Sequence, residues 1–249
     1  MTSTTPPAAM RREPLFPRRL FTEQAIFAVM IWAGYSLFVF VLTFAVSLFR
    51  PITVSGWDLA GQPAVWFAFA IGCYLGWTVL QLYVTHGGTR RGFLIRSVSF
   101  TLAYGLLLTL LFMVTYWPEA GIYALTGWPH QPDDDGLYTS LRDLPMLFLQ
   151  WLLVFELWAI GGLFVSVAWY RGAVFGALSI LFGLVVISVS SFTTREDIGP
   201  MGWVGRLLPG QTGPLPAAIA HVVMFVLLAA LTWLIVRNIS IRGKSVEPT

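Results

Sequence analysis

Six apolar runs divide the chain, at residues 25–49, 64–83, 93–116, 144–170, 173–192 and 217–236. None alternates polar and apolar side chains as a half-buried strand would. At 1.5 Å per residue, about 20 apolar residues cross a hydrocarbon core roughly 30 Å thick. Backbone groups in lipid must bond within their own segment, so each run is predicted to be a helix. The expected fold is all-α: a polytopic membrane protein of six transmembrane helices. The first run is far longer than a signal core and has no small-residue cleavage pattern after it, so it reads as a retained anchor.

Composition agrees with this pattern. Hydrophobic residues make up 57% of the chain and charged ones 11%, against about a quarter charged in soluble proteins. Six spans and their connectors use nearly all 249 residues, leaving no room for a folded soluble domain. The division is therefore a basic tail at 1–24, a transmembrane domain at 25–236 and a second basic tail at 237–249. Cys73 is the only cysteine, which excludes a disulfide framework and a cysteine metal site.

Charge sets the expected orientation. Arg11, Arg12, Arg18, Arg19, Arg90, Arg91, Arg96, Arg171, Arg237, Arg242 and Lys244 fall on one side of the ladder of spans. Eight of the twelve acids fall on the other, among them Asp58, Glu119 and Asp143. Basic connections stay in the cytoplasm, so both termini are expected there, in a multi-pass plasma-membrane protein. Trp57, Trp117, Trp128 and Trp203 lie in or beside the outer connections, where indole rings suit the headgroup layer. Before the first span, Pro17 can open a short interfacial helix with Leu20 and Phe21 toward acyl chains. The alternative there is a basic tail that only sets orientation.

The densest cluster of reactive side chains is the connection between the second and third spans, His86-Gly87-Gly88-Thr89-Arg90-Arg91-Gly92-Phe93. The glycine pair breaks a helix, Thr89 can cap the next one, and Arg90, Arg91 and Phe93 follow on its first turn. Such an elbow suits a groove on a cytosolic protein. From the residues alone, the simpler reading is that these arginines set orientation and bind anionic headgroups. Gly-Gly-Thr-Arg-Arg-Gly-Phe resembles the G-x-[ST]-R-R-x-F segment in permease subunits of ATP-binding-cassette exporters, notably actinobacterial members of the type-two class. Six spans, a basic N-terminal segment and inside termini are also similar to that family, as is the tight turn at Trp169-Tyr170-Arg171-Gly172.

The resemblance implies that the elbow seats in a separate cytosolic ATPase through Thr89, Arg90, Arg91 and Phe93, with His86 and Gly88 shaping the approach. It implies ATP and magnesium on those partner subunits, a second permease copy or homologue, a bacterial plasma membrane, and export of a lipid, drug or other amphiphile. Aromatics are 15% of the chain and are spread throughout, so they do not by themselves mark a sugar channel.

Glu156 is the one acid well inside a span. It lies about 18 Å along its helix from Leu144, near the bilayer centre. A charge there costs at least about 2.5–3.5 kcal/mol. It is a candidate substrate or proton site; the alternative is a neutral carboxyl bonded to a neighbouring helix. His221 lies nearer the outer surface, so a direct pair with Glu156 is not expected. Gly72-x-x-x-Gly76 and Gly172-x-x-x-Gly176 read as close-packing positions, and Asp133 to Asp135 as a solvated turn without calcium-loop spacing.

No Gly-x-x-x-x-Gly-Lys-Ser/Thr loop, His-Glu-x-x-His or Gly-x-Ser-x-Gly segment occurs, so the chain is not expected to be an enzyme by itself. Nor does it have a basic folded domain for nucleic acid. Permease is the favoured reading. A membrane scaffold or accessory subunit, a proton-coupled carrier using Glu156 and a lipid-modifying enzyme are the rivals.

Overall fold

A computed structural model describes residues 16–132, 137–138, 140–188 and 213–239. Helix α1 runs Arg18–Ser47. A one-turn helix α2, Gly56–Leu59, follows and is capped by Ser55. Next, α3 (Gly61–Tyr74) passes through a π turn, Leu75–Val79, into α4 (Leu80–Thr85). Helix α5 is Arg90–Thr126 and α6 is Leu144–Ala168. A 3-10 turn, Trp169–Arg171, leads to α7 (Ala173–Ile187), and α8 is Pro214–Val236. There is no strand among the described residues. Five helices are long and apolar enough to cross a membrane: α1, α3 with α4, α5, α6 with its 3-10 turn, and α8. Helix α7 has fifteen residues, about 22 Å of rise. The rest of the run at 173–192 lies outside the described residues beyond 188.

Helix α6 is the centre of the bundle. It is apolar on every side, as a surrounded helix must be, and every residue from Leu157 to Ala168 is buried. Helices α3, α5, α7 and α8 pack around it. The α3–α6 crossing is close enough to need glycine on both partners. A Cβ on Gly72 would strike the Ala159 carbonyl, and one on Gly162 would strike the Phe69 carbonyl. Cys73 Sγ also approaches the Gly162 carbonyl, at 3.4 Å. The expected packing role of Gly72 and Gly76 is what the structure has, with Gly76 against Ser166. Gly172 and Gly176 serve a turn instead. Gly172 adopts φ 131°, which a side chain resists, and Gly176 leaves room for the Trp169 ring.

Two expected boundaries move. The third span was expected to end at 116, yet α5 continues through Pro118 to Thr126 and ends at Gly127 with φ 73°. Proline removes one helical hydrogen bond, but Glu119 and Tyr123 on this extension are buried against the α2 region, and that packing keeps the helix intact. At the start of the first span, no separate interfacial helix precedes α1 among the described residues. Pro17 opens a helix that runs unbroken from Arg18, and Leu20 and Phe21 pack against the core. Residues 1–15 lie outside the described residues.

Side-chain contacts bring the basic segments to one end of the bundle. Phe21 meets Phe100 with ring centroids 6.0 Å apart. Tyr83 meets Phe93 at 6.4 Å, the Tyr170 hydroxyl donates to the Trp77 carbonyl at 2.8 Å, and Arg90 reaches the end of α8. Arg18, Arg19, Arg90, Arg91, Arg96, Arg171 and Arg237 are thus gathered there, while Asp58, Glu119 and Asp143 lie toward the opposite end.

Candidate functional site

The elbow is built by backbone hydrogen bonds. Gly87 has φ 82°; its N–H bonds Val84 O at 3.0 Å, and the Gly88 N–H bonds Tyr83 O at 2.9 Å. This pair satisfies the last carbonyls of α4 in a left-handed helix stop. Thr89 then caps α5, its Oγ1 accepting from Gly92 N at 3.0 Å. Gly88 and Gly92 are pressed against Tyr83, so larger residues would move that ring. His86 Nδ1 lies 2.7 Å from the Leu82 carbonyl.

The two arginines part company. Arg90 donates to Arg237 O at 3.0 Å and to Ile239 O at 2.5 Å. Arg237 is the C-cap of α8 and Ile239 lies just beyond it, so one of these bonds satisfies an orphan acceptor of the helix end, where a cation also suits the dipole. Arg90 is therefore a clasp between the start of α5 and the end of α8. Arg91 is exposed, as are His86 and Thr89. Phe93 is buried against the ring of Tyr83, so it holds the elbow to the core and presents no ring to solvent. Arg96, expected only as a topogenic charge, lies 5.0 Å above the Tyr83 ring, a cation–π distance.

Glu156 sits on α6 facing α5. Its Oε1 rests where a Cβ on Gly105 would intrude, at 2.6 Å. Its Oε2 is buried and has no hydrogen-bond partner among the described residues. For that oxygen, the expected alternative of a bond to a neighbouring helix has no partner among the described residues. His221 is buried with Nδ1 2.9 Å from the Ala217 carbonyl of its own helix, and no hydrogen bond joins it to Glu156.

A buried polar network at the other end was not anticipated. Glu119 is 1% exposed. It accepts from Ser55 Oγ at 2.7 Å and from the Trp57 N–H at 2.8 Å, and His130 Nε2 lies 3.1 Å from Oε2. Asp58 Oδ1 accepts from the Tyr138 hydroxyl at 2.6 Å and the Tyr116 hydroxyl at 3.0 Å. The Tyr123 hydroxyl donates to Val54 O and accepts from Gly56 N. Acids expected only as charges of the outer connections therefore tie α2 and the 128–131 segment onto α5. One signal was available: Glu119 falls three residues after Tyr116 and four before Tyr123, the spacing of one helical face.

Trp57 also differs from expectation. It is fully buried, donates Nε1–H to Phe112 O at 2.9 Å, and packs on Trp32 and Phe112. Trp117 is exposed, and Trp203 and Asp133 to Asp135 lie outside the described residues. The aromatics Trp32, Trp57, Phe112, Trp151 and Phe155 pack on one another in the core; here they fill space between helices.

The fold and its exposed apolar surface, with Phe38, Leu181 and Val226 each more than half exposed, are those of an all-helical membrane protein. No family model matches the chain, and no curated protein or solved structure is similar to it.

Proposed function

We propose that the chain is the membrane permease subunit of an ATP-driven exporter of the ATP-binding-cassette type, moving an amphiphile and driven by separate cytosolic ATPases. In this reading α7 and the residues after it form a sixth crossing, and the basic end, with both termini, faces the cytoplasm. The observation that carries the reading is the elbow. A sharply stopped helix and a capped successor present Arg91 and His86 outward, at the end where the cations gather. A partner that pushed on this elbow would move α5 directly and α8 through Arg90. Arg91 and His86 then touch the partner, Arg90 relays its motion, and Phe93 and Thr89 keep the elbow stiff.

The test is recovery of the full chain from its native membrane, followed by identification of what comes with it. An ATP-hydrolysing protein should co-purify, and Arg91→Glu should release it without lowering the chain's own stability. Crosslinks from position 91 to phospholipid alone, with no ATPase recovered from native bilayers, would overturn the proposal.

One observation favours a second reading, a proton-coupled carrier: the unpartnered carboxyl oxygen of Glu156 within the bundle. Transport that persists without ATP, collapses with the proton gradient and is lost in Glu156→Gln would select it. Equal transport by Glu156→Gln and wild type at every pH would remove it.

A further inference from the structure

Between the second half of α1 and the connection after it lies a half-open cavity of about 560 Å³, within the size range of small-ligand sites. Two contacts hold its walls at a fixed spacing. The Tyr35 hydroxyl donates to Ala60 O at 2.6 Å, and the Thr43 side chain occupies the space a Cβ on Gly56 would need. Phe38, Leu42 and Val46 form one wall, spaced as a single stripe of α1, and Ile52, Leu59 and Pro63 face them. Arg50, just past the last turn of α1, stands at the mouth. It is exposed and has no ion-pair partner among the described residues.

Among the described residues, no carboxylate lies within ion-pair distance of that cation. Asp58 is held by two tyrosine hydroxyls, and Glu119 by Ser55, Trp57 and His130. The cleft is therefore lined mainly by apolar side chains and carries a cation where α1 reaches its end. Phe38 and Leu42 are 59% and 50% exposed, on a helix long and apolar enough to cross the bilayer, so an acyl chain can enter sideways without leaving hydrocarbon.

We propose that this cavity holds one anionic phospholipid from the adjoining leaflet. One acyl chain lies along Phe38, Leu42 and Val46, and the headgroup phosphate pairs with the Arg50 guanidinium, whose planar fork suits phosphate oxygens. A zwitterionic lipid also has a phosphate, but its own ammonium offsets the charge that Arg50 attracts. The inference rests only on α1 lying in the membrane; it is independent of what drives transport.

The full chain, purified in detergent, is titrated with phosphatidylglycerol or phosphatidylcholine of identical acyl chains, and bound lipid is counted by native mass spectrometry. Phosphatidylglycerol should be retained about fivefold better, the value of one cation near an anionic surface. Arg50→Gln should abolish the preference while leaving phosphatidylcholine binding unchanged. Arg142→Gln, whose arginine lines a different hollow, should keep the preference. Leu42→Trp, or Val46→Phe should the first variant not fold, should lower retention of both lipids. A preference that survives Arg50→Gln, or undiminished retention in both cavity-filling variants, overturns the proposal. Competition by millimolar inorganic phosphate would mark a bare anion site and overturn it as well.

Discussion

Glu119 and Glu156 are both carboxyls enclosed by helices, and they differ in almost every other respect. Glu119 lies near one end of α5 with two donors and a histidine nitrogen around it. Glu156 lies mid-helix with a buried oxygen that no described residue satisfies. A buried polar group costs little when bonded and about 1–3 kcal/mol when not. Glu119 is therefore a structural knot that ties the α2 region and His130 to α5. Glu156 gives its surroundings no comparable return. A sequence that keeps an unsatisfied carboxyl between two spans does so at a cost in stability, which is why Glu156 is the side chain to test for a ligand or a proton.

The comparison can be broken most sharply at Glu119. Glu119→Leu should destabilise the protein by about 3–5 kcal/mol, because it strands buried donors that have no other acceptor; thermal unfolding in detergent measures this. Glu156→Leu should go the other way and stabilise by about 1–3 kcal/mol, since it removes an unsatisfied group and adds apolar volume. Were Glu156→Leu to destabilise as much as Glu119→Leu, the distinction between the two acids would fail. Smaller effects separate the arginines of the elbow. Arg90→Ala should cost about 1 kcal/mol by leaving the end of α8 without its cap. Hydrogen exchange should then rise at Arg237 and Asn238 before it rises elsewhere. Arg91→Ala, at an exposed position with no contact of this kind, should stay within about 0.5 kcal/mol of wild type.

Much of the helical architecture was legible in order and approximate extent. The long apolar runs at 25–49, 64–83, 93–116, 144–170 and 217–236 are helices, with ends shifted by a few residues or, at α1 and α5, by more. The elbow was legible too: the glycine stop and the Thr89 cap depend on residues only a few positions apart. What could not be read was the fate of side chains whose partners lie far along the chain. Arg90 is separated from Arg237 by 147 positions and Glu119 from Ser55 by 64. Trp57 has the composition of a headgroup anchor and the location of a core residue. Pro118 carries a local instruction to stop the helix, which burial of Glu119 and Tyr123 overrides.

By itself the sequence determined that this is a helical membrane protein, because apolar run length and backbone hydrogen bonding within a segment are local properties. It also determined the separation of basic from acidic connections, which needs only the order of the runs. The tertiary structure alone decided that α6 is the surrounded helix, that Arg90 is a clasp while Arg91 is exposed, and that, among the described residues, one acid is satisfied and one oxygen of the other is not. Those outcomes depend on which faces meet across the bundle, and the residues that settle them, such as Gly72 with Ala159 or Glu156 with Gly105, become neighbours only once the helices pack.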